Sequence, residues 1–142
     1  MFSENDKIYK AEPKSLLEIA RGEYTKRVLV VMQEEPAYPG NLEFVKKILG
    51  AAGLDLEKDT LFAPVVMSES ALVLPALKTK HPDQVLVFGL VPAQLGLNIQ
   101  ASFYKPVSFL GTTFLFAEKL SVIESDKSRK TGLWQALRQI FL

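Results

Sequence analysis

Two continuous apolar runs restrict the fold of this chain more than any other feature. They read R-V-L-V-V-M-Q over residues 27–33 and Q-V-L-V-F-G-L-V over residues 84–91. Runs this short, apolar at consecutive positions and rich in β-branched residues, belong to strands buried on both faces. Such a strand needs a covering layer above and below it, and the sequence between the runs supplies helices. Residues 41–52 carry Leu42, Val45, Ile48, Leu49 and Ala52 at helical spacing, and Gly53 stands where a helix commonly ends.

The remaining segments extend the alternation. Residues 60–67 predict a second strand, and Pro64 within it predicts an edge position or an early end. Pro13 and the stripe Leu16, Leu17, Ile19 and Ala20 predict an opening helix that stops at Gly22. Ser68 is placed to cap a helix over 69–80, short or kinked because of Pro75. Pro92 opens a helical turn. A fourth strand is predicted near 106–110 and a fifth over 112–120. Ser125 or Asp126 caps a last helix to about Ile140, with Leu133, Trp134, Leu137, Ile140 and Phe141 on its apolar face. Strands alternating with helices predict a three-layer α/β/α domain with a mainly parallel sheet of four to five strands. Residues 1–12 are polar and mixed in charge and read as a flexible arm; residues 13–142 read as one domain.

Composition excludes several kinds of chemistry. The chain has no cysteine and one histidine, His81, so thiolate catalysis, disulfides, Cys-based metal sites and multi-His clusters are out of reach within one chain. No metal or cofactor is expected. With 17 basic and 16 acidic residues the net charge is +1, which gives no bulk attraction to nucleic acid. No apolar run approaches the roughly 20 residues that span a bilayer, and the start resembles no targeting signal, so the cytoplasm is the expected location. Neither a nucleophile elbow nor a glycine-rich phosphate cradle is present.

In such sheets ligands gather at the carboxyl ends of the strands. The loops meeting there are residues 33–41, 66–70 and 89–93, with 118–125 joining them. Glu34 is the candidate general base; the commoner state of such residues, which Glu34 and Glu35 share, is a solvated loop charge. Tyr38 is a stacking platform or a ring packed over a helix end. Asn41 and Lys119 complete the candidate ligand-binding set. His81 falls at the opposite, amino end. Lys127, Arg129 and Lys130 cluster at the start of the last helix, where positive charge opposes the helix dipole; they are candidate phosphate contacts, or a solvated helix face.

Two resemblances follow from these residues. Gln33-Glu34-Glu35-Pro36-Ala37, the following Tyr38-Pro39-Gly40, the helix end Ala52-Gly53-Leu54-Asp55 and the run from His81 to Gly89 resemble, in that order, the uracil-DNA glycosylase superfamily. The resemblance covers residues 27–141. Two departures matter. The base-reading loop after strand two is the apolar Phe62-Ala63-Pro64-Val65-Val66. The family's late H-P-S motif, whose His stabilises the departing base, is replaced by A-E-K-L-S over 117–121. Glycosidic cleavage needs a donor aimed at the developing charge, and Lys119 is the nearest substitute. The second resemblance is to the psi subunit of bacterial DNA polymerase III. It rests on Val28-Leu29-Val30-Val31-Met32, on Pro36 and on Leu133-Trp134-Gln135-Ala136-Leu137. It implies a non-catalytic accessory protein whose arm docks on the clamp loader and whose body binds a partner subunit. Together they imply a binding module in DNA replication or repair with a protein partner. A nucleic-acid partner would rest on the local basic cluster alone. The alternatives are a divergent glycosylase or base-binding hydrolase using Glu34, and a protein-interaction scaffold unrelated to nucleic acid.

Overall fold

The computed structural model describes residues 14–38, 40–66 and 71–142. Its centre is a five-stranded sheet. The strands are β2 (Val28–Gln33), β3 (Thr60–Val65), β5 (Gln84–Phe88), β6 (Val107–Phe109) and β7 (Thr112–Ala117), in the spatial order β3-β2-β5-β7-β6. Four are parallel, and β6 joins the edge antiparallel to β7. A second, two-stranded parallel sheet pairs β1 (Lys14–Ser15) with β4 (Ala71–Leu72).

The apolar runs behave as double-sided strands. Alternate residues divide between two cores. Val28, Val30, Met32, Leu86 and Phe88 face one core with the helices α1 (Asn41–Ala51), α4 (Leu120–Glu124) and α5 (Lys127–Phe141). Leu29, Val31, Val85 and Val87 face the other, with α3 (Leu74–Lys80) and the 3-10 turns at Leu16–Glu18 and Pro92–Leu95. This is a three-layer α/β/α arrangement around a mostly parallel sheet. Pro64 lies on β3, the edge strand, where its missing N–H costs no ladder bond to a further strand.

Helix α1 ends as the sequence predicts. Gly53 takes φ +79°, its N–H reaches Gly50 O at 3.0 Å, and the Leu54 N–H reaches Leu49 O at 2.8 Å, a Schellman closure. Its apolar face differs by one residue: Phe44 is buried and Leu42 lies exposed. Asp126 caps α5 by accepting from the Arg129 N–H at 3.1 Å.

Several elements depart from expectation. In place of an opening helix there is the two-residue β1 and a 3-10 turn capped by Ser15; Pro13 and the N-terminal arm lie outside the described residues. The helix expected from residue 69 begins only at Leu74, because residues 71–72 pair with β1. Pro75 therefore sits in the first turn, where it needs no hydrogen bond, and kinks nothing. Ser68 lies outside the described residues. The strand over 84–91 ends at Phe88, where Gly89 turns the chain at φ +86°. The strand over 112–120 ends at Ala117, and the chain goes straight into α4, with Leu120 and Ile123 on its buried side. A further short helix, α2 (Leu56–Asp59), is capped by Asp55, which accepts from Glu57 N at 3.0 Å and Lys58 N at 2.9 Å.

Among the described residues no helix is long and apolar enough to cross a membrane.

Candidate functional site

Strands β3, β2 and β7 end at the same edge of the sheet, with β5 between β2 and β7, and the residues that follow the three enclose a cleft of about 700 Å³. Its lining comes from the end of β2 and the loop after it (Gln33, Glu34, Glu35, Pro36, Ala37 and Tyr38), from Val66 after β3, and from Lys119 and Ser121 at the start of α4. Glu34, Glu35, Tyr38 and Lys119 are therefore brought together. Asn41 is not in this cleft. It lines a neighbouring depression of about 410 Å³ with Met32, Leu42, Phe62 and Pro64, on a shared wall of Glu34, Glu35, Pro36 and Tyr38. The loop after β5 supplies none of the residues that line these two depressions. A side chain at Gly89 would meet Gln33 Oε1 and Lys119 Cβ, each at 2.9 Å, so glycine lets Gln33 and Lys119 close over that turn.

The two adjacent glutamates have different surroundings. Glu35 is half-buried, and its carboxylate accepts the Ser121 N–H at 3.2 Å and the Ser121 hydroxyl. This clamps the β2 loop to the first turn of α4. Glu34 is exposed, and its backbone N–H continues the ladder to Val65 O at 2.8 Å. Among the described residues its carboxylate has no hydrogen bond or ion pair, so it is the one free to meet a ligand. Lys119 is likewise exposed and without an ion pair among the described residues. Tyr38 has its ring on the cleft wall, and its hydroxyl donates to the Glu124 carboxylate. Both readings of Tyr38 meet here, since the ring also packs against the core around α1.

Between β7 and α4, Glu118 and Ser121 are engaged in structural hydrogen bonds, whereas Lys119, among the described residues, is not. Glu118 accepts from the Tyr104 hydroxyl at 2.9 Å and from Arg129 Nε at 2.6 Å, and Arg129 also bridges to Asp126. The two carboxylates hold the Arg129 guanidinium above its usual range, with the Glu118 hydrogen bond as the first cause. The Arg129 N–H and guanidinium hold Asp126 below the usual carboxylate range. Burial, reinforced by the bond to Glu118, pushes the Tyr104 phenol up to about 12. None of the basic trio lines the cleft. Arg129 is occupied by carboxylates, while Lys127 and Lys130 are exposed; Lys130 borders a separate groove between α1 and α5 beside Trp134. His81 closes α3 with φ +48°, at the amino end of the sheet, and its carbonyl accepts from the Arg27 guanidinium.

Sequence reasoning passed over Gln33. Of the four buried polar side chains among the described residues, three are satisfied. Asp59 accepts from Thr25 Oγ1 and the Asp55 N–H, both at 2.8 Å. Thr60 donates to Leu56 O, and Thr112 donates to Pro82 O at 2.8 Å. Gln33 is only 7% exposed and lines the cleft, yet its carboxamide has no partner among the described residues. The available signal was a glutamine closing a strand apolar at every preceding position, at the carboxyl end where sites form.

Among the described residues no group of three or more His, Asp or Glu side chains is placed to hold a metal ion. In comparisons with known proteins, no family model matches this chain and no curated sequence matches it.

Proposed function

We propose that this chain is a non-catalytic binding module, acting in the cytoplasm as an accessory subunit in DNA replication or repair, of the kind the psi-subunit resemblance implies. One observation carries the reading. Where the resemblance would place the glycosylase histidine there is none: Glu118 is tied to Tyr104 and Arg129, Ser121 is tied to Glu35, and Lys119 is exposed and held by no hydrogen bond among the described residues that would aim it. Groups engaged in structural hydrogen bonds are not poised to stabilise charge that develops on a substrate.

A second reading has its own support: Glu34, Tyr38 and Lys119 line one open cleft, as a divergent glycosylase or base-binding hydrolase would require. Incubation of the purified chain with uracil- and hypoxanthine-containing DNA separates the two. No release of free base is expected. Release at an enzymatic rate, abolished in Glu34→Gln, reverses the ranking. The replication assignment has a separate check. Tagged chain recovered from its native host is expected to bring down a clamp-loader or repair component; recovery of unrelated metabolic proteins alone would refute it. If a DNA complex forms, steep weakening with salt marks phosphate contacts and disfavours a scaffold without a nucleic-acid link.

A further inference from the structure

We propose that the cleft at the carboxyl ends of β2 and β3 is a peptide-docking site, in which the Gln33 carboxamide pairs with a main-chain amide of an extended, mainly apolar segment of a partner protein. This rests on the protein-binding reading above and specifies where the partner sits and what recognises it.

The first argument is the orphan amide. Natural folds rarely bury a polar side chain without a partner, and each exception asks for an explanation. Gln33 is the exception among the buried polar residues described, and it faces a cleft rather than a closed core. A carboxamide both donates and accepts. A phosphate or carboxylate would use only its N–H groups, and an ammonium only its oxygen. Another amide satisfies both.

The second argument is shape. Three neighbouring depressions, of about 530, 700 and 410 Å³, all share Glu34. They meet around Glu34 beside the strand ends, and the one that Gln33 lines has Pro36, Ala37, Val66 and Tyr38 as a mainly apolar wall. An apolar-walled cleft with one buried amide, flanked by two further depressions, matches a peptide segment whose main chain binds the amide while its side chains fill the depressions on either hand. A compact ligand would use one depression and leave the others empty.

The test places a photo-crosslinking benzoylphenylalanine at Ala37, an exposed wall position, in the full chain expressed in its native host. Crosslinks are expected to map to one contiguous segment of one partner protein. A synthetic peptide of that segment is then expected to bind the purified chain, and Gln33→Leu is expected to weaken binding at least about tenfold, a loss equivalent to about 1.4 kcal/mol. The same variant is expected to raise the Tm by a few degrees, because it removes an unsatisfied buried group. A merely structural glutamine gives the opposite sign, and a lower Tm overturns the proposal. So does unchanged peptide affinity, or crosslinking to a small molecule or to a second copy of the chain. If a replication component is still recovered equally well by Gln33→Leu, the docking site is wrong and the accessory-subunit reading stands. If neither form recovers a protein partner, both fall.

Discussion

The Glu35 carboxylate holds Ser121 twice, through its backbone N–H at 3.2 Å and through its hydroxyl, across 86 positions of sequence. This contact fixes the width of the cleft, because Glu35 belongs to the loop after β2 and Ser121 to the first turn of α4. Its neighbour Glu34 shares the cleft but has no such bond. Substitution should therefore separate the two. Glu35→Ala leaves the Ser121 N–H without its carboxylate and is expected to cost about 1–3 kcal/mol, and Ser121→Ala about 1 kcal/mol. Glu34→Gln, at an exposed position, should stay within about 0.5 kcal/mol. Urea midpoints for the three variants check the order; equal losses for Glu34→Gln and Glu35→Ala would contradict the assigned roles.

Gly89 offers a test of how closely Gln33 and Lys119 pack beside the cleft. Its φ of +86° is unfavourable for a side chain, and an added Cβ would also stand 2.9 Å from both Gln33 Oε1 and Lys119 Cβ. Gly53 has nearly the same φ, +79°, with open space where a Cβ would go. Gly53→Ala should therefore cost the backbone strain alone, about 1–2 kcal/mol. Gly89→Ala should cost clearly more and shift the amide resonances of Gln33 and Lys119. Denaturation and a two-dimensional NMR spectrum of each variant measure the difference.

Legibility followed the range of the interactions. Most of the runs 27–33 and 84–91 was readable as buried strand because the consecutive apolar residues state their environment on their own. Pro64 left an edge position or an early end open for β3, and the fold takes the edge. The β1–β4 pairing was not readable, since two residues at each end find each other across more than fifty positions. Helix α4 was hidden because one turn offers only Leu120 and Ile123, a spacing too brief to oppose a neighbouring strand pattern. At the site, the convergence of Glu34, Tyr38 and Lys119 followed from the rule that loops gather at the carboxyl ends of parallel strands. The opposite duties of Glu34 and Glu35 depended on where Ser121 lands, which only the folded chain decides.

Stability on the acid side should depend on Asp59. Its carboxylate is held below the usual range, first by the Asp55 N–H, then by Thr25, with Lys26 at 3.9 Å assisting. A depressed folded pKa means that the unfolded chain binds its proton more readily. The stabilisation is thus complete above the unfolded value of about 3.9 and disappears as pH falls through the lower folded value. Asp59→Asn should lower stability at neutral pH and flatten its decline below about pH 4. Urea midpoints of both proteins across that range test this; parallel acid limbs would show that other carboxylates, such as Asp126, dominate.

The alkaline side should be governed by Tyr24 and Tyr104. Burial is the first cause for each, and both phenols are pushed up to about 12. Tyr24 donates to Lys80 O at 3.0 Å, and Tyr104 donates to Glu118 at 2.9 Å. A raised folded pKa keeps the proton on the folded chain. The stabilisation is therefore complete below the unfolded value of about 10 and is lost as pH rises through the folded value. Tyrosinate absorbance should accordingly show Tyr24 and Tyr104 titrating later in the native protein than in urea. Tyr104→Phe should remove one late titration, leave the Glu118–Arg129 pair in place, and make stability fall less steeply above about pH 10. If Tyr104→Phe removes an early titration instead, the Tyr104 hydroxyl is open to water and Glu118 is not its partner, and the structural duty assigned to Glu118 in place of a catalytic one loses its support.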